Sequence, residues 1–596
     1  MQQTPFRIAE EMTATNQSEQ PWPAASLKQI EARLCAPGER FEMEMAVICG
    51  VPTRTWKNAP PSLPALARMA RAAYAQRIFT SYEDERVTYE GWFRATAALA
   101  AELDRLGVRK GDRVALAMRN LPEWPVAFFA IVALGAIVIP LNAWWTGEEL
   151  QYALAHSGAM LVICDAERWA RIGPLTESLP EVELALVSRS PDPLPAGARA
   201  LEEVIGSPRD YQNLQDADLP AIDIDPDDEA TIFYTSGTTG KPKGALGTHR
   251  NILSAIMSGA YSAFRSVLRR GETPPAPEPK VSLTVIPLFH VTACCAGLMG
   301  MMAAGNTLIF MRRWDTIEAF KIIQRERVNI TGGVPTIAWQ LLEHPDRGDY
   351  DLSSLEAIAY GGAPAAPDLV RRIHEEFGAL PGNGWGMTET SATVTTHGAE
   401  DYLHRPTSCG PPVPVSDLKI MDEDAARELA TCEVGELWAR GPQIVKGYWR
   451  DPEATAATFV DGWVRTGDLA RLDEEGFCYI VDRKKDIIIR GGENIYSTEV
   501  ENILYDHPAV TDAALVGIPH RTLGEEPGAV VHLAPGADAS EEELKRWVRG
   551  RLAPFKVPVR IIFSQSTLPR NANGKIMKRD LKGLFEMEPA SHPAET

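Results

Sequence analysis

The sequence predicts an α/β protein with a large N-terminal lobe of parallel βα sheets, a β-barrel-like subdomain closing that lobe, and a small C-terminal α+β lobe. Three observations carry this expectation. The chain of 596 residues is several times the size of a single-core domain, so lobes with a cleft between them are the default. Amphipathic helical stretches alternate with short apolar runs through the first two thirds, which is the pattern of βα units. From about Pro411 the texture changes to short strands between turn signals, as in DLKIMDED, GELWARG and GFCYIVD, and this reads as antiparallel.

Taken in order, the helix WFRATAALAAELDRLG (92–107) leads into the strand RVALAM (113–118), and YALAHSGA (152–159) leads into MLVICD (160–165). The longest apolar run, WPVAFFAIVALGAIVIPL (124–141), is long enough to suggest a membrane span. Pro125, Gly135 and Pro140 divide it instead into a buried helix and a short β-branched strand, because a lipid core demands an unbroken hydrogen-bonded segment. A compact α/β unit follows Arg483. Residues 1–25, the insert RRGETPPAPEPK (269–280) and the tail after Phe585 are rich in Pro or small polar residues and read as flexible pieces.

Composition narrows the function. Apolar residues at 45% and charged residues at 23% are ordinary globular usage and exclude global disorder. Sixty Lys and Arg against 80 Asp and Glu leave a net charge of −20, which repels polyanions and argues against nucleic-acid partners. Any bound phosphate must then be held locally. The eight cysteines include no C-x-x-C pair, so free thiols in a reducing compartment are expected and no zinc site is assigned. The N-terminus lacks a basic stretch followed by an apolar core, so a cytoplasmic location is expected.

The strongest local signal is TIFYTSGTTGKPKGA (231–245). An apolar strand runs into Thr235, Ser236, Gly237, Thr238, Thr239 and Gly240, where hydroxyls and unhindered N–H groups can wrap a polyphosphate. Lys241 and Lys243 add charge. The spacing is not that of a Walker A loop, so P-loop ATPase chemistry is not supported. As residues alone, the stretch reads equally as a polar surface loop.

TSGTTGKPKG resembles, residue for residue, the phosphate loop of the adenylate-forming superfamily: acyl-CoA synthetases, firefly-type luciferases and peptide-synthetase adenylation domains. The resemblance runs from about Trp56 to Leu584, with YGGAP (360–364), GWGMTET (384–390), RTGDL (465–469), DRKKDIIIRGGENI (482–495) and PRNANGK (569–575) in the expected order. It divides the chain into an extension (1–55), an adenylation domain (56–482), a C-terminal lobe (483–586) and a tail (587–596). It implies an acid–CoA ligase that uses ATP, Mg²⁺ and coenzyme A, forms acyl-AMP with release of pyrophosphate, and passes the acyl group to the thiol with release of AMP.

Roles follow from the same resemblance. Thr388 would contact phosphate and Glu389 would help hold Mg²⁺, a hard cation that prefers oxygen ligands, although a Thr-Glu pair in a loop is more often a helix cap. Gly386 and Met387 belong to the same nucleotide motif. Asp468 would hold the ribose, and Arg483 would make a second ribose or phosphate contact. Trp385, where the family usually has Tyr, would stack on adenine against Gly362, Ala363 and Pro364, losing a phenolic hydrogen bond. Lys575 would bridge carboxylate and α-phosphate in the first half-reaction, while on residues alone it is a solvated loop lysine. Lys485 matches a hinge about which the small lobe swings for thiolation. Gly491, Gly492 and Glu493 would line the pantetheine tunnel, and Lys556, in LAPFKVP, would lie near the nucleotide end of CoA. Ser497 replaces a common proline and is expected only to soften the backbone.

His290, in VIPLFHVTA, stands where amino-acid-activating relatives carry an aspartate, so an amino-acid substrate is not expected. By the same resemblance it would gate the acyl carboxylate, and on residues alone it reads equally as a packed core histidine. Val334, Pro335, Thr336, Trp339, Gly361 and Gly384 are the acyl-pocket candidates. The glycines at 332, 333, 361 and 384 are expected to leave width, and the lack of a fixed charge points to an acid that is apolar beyond its carboxylate. A medium- or long-chain fatty acid is the first reading, an aryl or alicyclic acid the second. Delivery to a carrier protein is a third, disfavoured because no carrier domain is expected after Lys575. The segment 260–280, where aromatics interleave with Arg265, Arg269 and Arg270, offers a peripheral membrane contact as an alternative to an ordinary surface insert.

Overall fold

A computed structural model describes residues 22–586 except 236–240, 275, 277, 362–365, 492, 535 and 571–575. The first large sheet runs, edge to edge, Gly244–Thr248, Glu229–Tyr234, Ile137–Pro140, Arg113–Ala117, Leu161–Asp165, Leu184–Ser188 and Ala198–Ala200. All neighbours are parallel except the first pair. The second runs Thr395–Gly398, Leu380–Trp385, Ala357–Gly361, Ile330–Gly333, Val281–Thr284, Thr307–Phe310, Ile78–Tyr82 and Glu85–Thr88, with antiparallel strands only at its two ends.

One hydrophobic cluster joins the sheets: Val114 and Leu116 of the first pack with Phe79, Leu308 and Phe310 of the second. The helix Glu123–Ala133 lies in that cluster with every residue buried, and the strand Ile137–Pro140 is buried throughout. The apolar run therefore has no polar face because protein covers it on all sides. Among the described residues no helix is long and apolar enough to cross a membrane.

The barrel-like subdomain stands as an antiparallel sheet of Asp417–Met421, Gly435–Arg440, Trp463–Leu472, Phe459–Val460 and Cys478–Arg483. A last sheet of Glu493–Ile495, Ile488–Arg490, Gly524–Leu533, Val510–His520 and Arg560–Phe563 packs with the helices Ser497–Tyr505 and Glu541–Arg549 around its own core. All eight cysteines are free.

Two expectations about the surface need correction. The segment that suggested a membrane contact begins inside the helix His249–Arg269, whose Tyr261, Arg265, Leu268 and Arg269 are buried. Arg265 donates to the Thr396 carbonyl at 2.6 Å, and Arg269 makes a two-pronged pair with Asp401 at 2.7 and 3.0 Å. The arginines serve internal acceptors, and the ring of Tyr261 packs against Phe41 and Trp56. Arg269 is likewise no part of a loose insert. The residues before Trp56 include a hairpin, Met43–Ile48 with Val51–Trp56, fastened to this helix by a bond from Trp56 Nε1 to Ser258 at 3.1 Å.

Candidate active site

Thr235, Val334, Gly361, Gly384 and the turn that carries Glu389 lie at or just beyond the carboxyl ends of parallel strands, where open α/β sheets bind ligands. Strand Glu229–Tyr234 pairs antiparallel with Gly244–Thr248. Thr235 closes this pair: its N–H donates to the Lys243 carbonyl at 2.8 Å, and its hydroxyl accepts from the Lys243 N–H at 3.3 Å. Thr235 and Lys243 thus form the base of the phosphate loop, whose Ser236, Gly237, Thr238, Thr239 and Gly240 lie outside the described residues. Lys241 Nζ stands 4.9 Å from the ring centre of Tyr152, and Lys243 Nζ 5.0 Å from that of Tyr448. An aromatic face orients a cation without neutralising it.

The turn after Leu380–Trp385 carries the acidic group. At Gly386 a Cβ would lie 1.6 Å from the Ala392 carbonyl oxygen, so only glycine lets the two backbones approach. Ser391 and Ala392 take φ of 49° and 91°, a path that costs residues with side chains about 1 kcal/mol or more each. This turn carries Gly386, Met387 and half-buried Thr388, and it buries Glu389. Tyr448 Oη donates to Glu389 Oε1 at 2.6 Å. Burial pushes the Glu389 carboxyl above its ordinary value, while the Tyr448 hydroxyl and the charges of Lys243 and Arg483 pull it down.

Tyr448 is the participant that motif reading passed over. Its signal is KGYW beside turn residues (446–449). The backbone is stitched to the phosphate hairpin by Leu246 N–H to the Gly447 carbonyl at 2.9 Å and Trp449 N–H to the Gly244 carbonyl at 2.7 Å. Tyr448→Phe removes a bond that favours the charged carboxylate, so Glu389 should take its proton at a higher pH. The acid limb of ATP–pyrophosphate exchange is expected to move upward in pH, and an unmoved limb would show that the hydroxyl does not act on Glu389.

Hard oxygen donors, the Glu389 carboxylate with the neighbouring Thr388 hydroxyl, fit Mg²⁺. Among the described residues no three His, Cys, Asp or Glu side chains cluster to hold a metal. A single carboxylate is the arrangement for an ion that arrives with nucleotide phosphates.

Asp468 and Arg483 face each other across strands Trp463–Leu472 and Cys478–Arg483, with Arg483 Nε 3.5 Å from Asp468 Oδ1. Trp385 Nε1 donates to Asp468 Oδ2 at 2.8 Å. The indole thus makes a hydrogen bond of its own. It also packs against both apolar clusters of the antiparallel sheet. Gly362, Ala363, Pro364 and Lys575 lie outside the described residues.

His290 precedes a stretch of π-helix, Thr292–Leu298, a form that recurs at functional sites. Burial pushes its imidazole down to about 3, so the ring is neutral, and Nε2 is buried without a hydrogen-bond partner among the described residues. Phe289 packs on it at 4.5 Å and Trp144 on Phe289 at 5.7 Å. Val334, Gly361 and Gly384 sit at the ends of three adjacent strands, with Gly361 and Gly384 paired in register.

Pro335 and Thr336 open the helix Pro335–Glu343. Trp339, one turn on, carries the Arg372 guanidinium 5.3 Å from its ring centre, so it serves a contact with the helix Pro367–Phe377. Gly332 is also reassigned: a Cβ there would lie 1.6 Å from the Ala359 carbonyl oxygen, so its small size serves the approach of neighbouring strands.

Lys485 follows the antiparallel sheet, its ammonium pushed below the ordinary lysine value by burial and then by Arg483. Gly491, at φ 59°, donates its N–H to the Leu523 carbonyl at 2.7 Å. Glu493 is exposed, and Gly492 lies outside the described residues. Lys556 pairs with Glu499 at 2.6 Å. Ser497 does more than soften the chain: its N–H and hydroxyl both donate to Asp482, and it accepts from Lys578 Nζ at 2.6 Å. A proline there would have no N–H to give.

Comparison with known proteins agrees with this geometry. The model of the AMP-binding enzyme family matches residues 66–449, and that of the AMP-binding enzyme C-terminal domain matches 499–575. A long-chain-fatty-acid–CoA ligase of Bacillus subtilis (strain 168) is 34% identical over 549 residues, 89% of this chain and 95% of the relative. A feruloyl-CoA synthase of an Amycolatopsis species is 34% identical over 523 residues, 87% of this chain and 97% of the relative. The solved o-succinylbenzoate CoA synthetase of Bacillus subtilis, in complex with its acyl-adenylate intermediate, superposes with a TM-score of 0.71 at 30% identity, covering 88% of this chain and 98% of that one. With two family models covering most of its length, relatives at this identity and a nucleotide-type site at the strand ends, the chain belongs to the AMP-binding enzymes of the adenylate-forming superfamily and is an AMP-forming acid–CoA ligase.

Proposed function

We propose that the acid is a medium- or long-chain fatty acid, activated as acyl-AMP and transferred to CoA. The observation that carries this reading is the neutral character of the candidate lining: Val334, Gly361 and Gly384 at adjoining strand ends, and the uncharged His290 with the Phe289 ring packed on it and the Trp144 ring on Phe289. A carboxylate followed by an apolar tail suits such a lining, whereas a second charge on the acid would be buried unpaired. An aryl acid is the second reading, favoured by the feruloyl-CoA synthase that matches at the same 34% identity as the fatty-acid ligase.

In the proposed first step the substrate carboxylate attacks the α-phosphorus of ATP, and the bond to the pyrophosphate oxygen breaks. No protein nucleophile is needed, so this chain contributes position and charge. Lys241 and Lys243 would hold the departing phosphates, Glu389 would hold Mg²⁺ and Asp468 would hold the ribose. Lys575 is assigned to the charge that builds between carboxylate and α-phosphate. When bound, Mg²⁺ supplies neutralisation of phosphate charge. In the second step the CoA thiol attacks the acyl carbonyl, AMP leaves, and the thiol proton is lost. Lys485 is the proposed pivot of the lobe movement between steps.

A panel of saturated fatty acids of increasing chain length and of aryl acids, assayed for ATP- and CoA-dependent AMP release, tests the reading. We expect kcat/KM to peak among medium or long chains. A maximum at an aryl acid would replace the first reading by the second, and AMP release indifferent to CoA would point to another acceptor.

A further inference from the structure

We propose that Trp385 is a positioning residue for ribose recognition, acting through Asp468, so that this chain's discrimination for a complete ribose depends on an indole N–H. The proposal rests on the reading that Asp468 binds the ribose hydroxyls.

The geometry is specific. Trp385 ends the strand Leu380–Trp385 of the large parallel sheet, and Asp468 lies in Trp463–Leu472 of the antiparallel sheet. The two side chains meet through a 2.8 Å bond from Nε1 to Oδ2. Arg483 approaches the other carboxylate oxygen, its Nε 3.5 Å from Oδ1. An ionised carboxylate offers about four lone-pair sites, so one donor on each oxygen still leaves a site on each for the ribose 2′- and 3′-hydroxyls. Two donors from opposite ends also fix the plane of the group. Without the indole, the carboxylate keeps the longer contact to a half-exposed guanidinium and turns more freely about its last torsion.

An indole is suited to this task because its only polar atom is a donor and its body is apolar. The body packs against the Ile420, Leu437, Ala470 and Cys478 cluster and against the Val394, Ala439, Ile444 and Val464 cluster. That packing leaves few orientations for the N–H, and the bond is made across the seam between the two sheets.

The test compares wild type, Trp385→Phe, Asp468→Asn and the double variant in ATP–pyrophosphate exchange, using ATP, 2′-deoxyATP and 3′-deoxyATP, with melting temperatures alongside. We expect Trp385→Phe to raise KM for ATP roughly five- to tenfold with kcat changed far less, as suits a lost hydrogen bond to a charged group. Its preference for ATP over the deoxy nucleotides should shrink by a similar factor. The effects of Trp385→Phe and Asp468→Asn on that preference should be non-additive. A Trp385→Phe protein that keeps the wild-type preference, or additive effects in the double variant, overturns the proposal and leaves the indole a packing residue. Should Trp385→Phe melt early, the preference of Asp468→Asn alone still decides: a wild-type preference there sinks the ribose role of Asp468, and with it this inference, while exchange activity itself shows whether the ligase reading stands.

Discussion

Glu389→Gln is expected to lower the rate of acyl-AMP formation by about 10²- to 10³-fold, the scale for removing one element of a preorganised charge clamp, and to raise the Mg²⁺ concentration needed for half-maximal exchange. The amide keeps the size of the side chain and an oxygen that can accept from Tyr448, so packing is preserved and only charge is lost. Stability should move the other way. The folded protein holds the Glu389 carboxyl above its ordinary value because of burial, so the folded state binds the proton more tightly than the unfolded state does. Its contribution to stability is therefore present below the ordinary carboxylate value and lost as pH rises through the raised one. At neutral pH the ionised group is a cost, and the neutral glutamine removes it. A variant that is slow yet melts no lower than wild type marks a residue kept for chemistry. Unchanged exchange kinetics and metal dependence would remove Glu389 from the site.

What could be read from the chain and what could not divide along sequence distance. The parallel sheets were legible because each strand and its helix are contiguous, as with Glu123–Ala133 and Ile137–Pro140. The acidic turn was marked by a contiguous stretch too, Gly386 to Ala392, whose glycine and positive-φ residues lie close together in the chain. The contacts that tune those motifs join residues far apart: Tyr448 and Glu389 are 59 positions apart, Trp385 and Asp468 83, and Arg269 and Asp401 132. No local period records such pairs. Trp339 is a further case: the helical turn after a glycine-rich strand end carries its ring to Arg372 of the next helix, a partner 33 positions away that no local pattern announces. Gly332 was read as width, whereas the need for glycine comes from Ala359 on the neighbouring strand.

Arg269→Ala is expected to destabilise the large lobe by about 3–5 kcal/mol, the cost of removing one member of a buried ion pair. The Arg269 side chain is fully buried, and that of Asp401 is 8% exposed. The two share three hydrogen bonds of 2.7 to 3.1 Å. Arg269 also reaches Glu475 at 2.8 Å and the Ala25 carbonyl at 3.2 Å. Truncation affects these partners unequally. Glu475 keeps a bond from Arg405 at 2.7 Å, while Asp401 loses every hydrogen bond its carboxylate makes to a side chain among the described residues. The cost should thus be that of one stranded carboxylate, and pairing Arg269→Met with Asp401→Leu should recover most of it, because apolar replacement of both partners leaves no buried charge. Thermal or denaturant unfolding of the three proteins checks this, and a single variant within about 1 kcal/mol of wild type would show that water reaches Asp401. The anchor also bears on the site. The helix His249–Arg269 leaves the phosphate hairpin at Thr248, and its far end is pinned by Arg269 to the helix Ala399–His404, which follows the strand paired with Leu380–Trp385. The buried pair thus joins the Arg265–Thr396 bond in tying the helix that follows the Lys243 hairpin to the strand and helix beside the Glu389 turn.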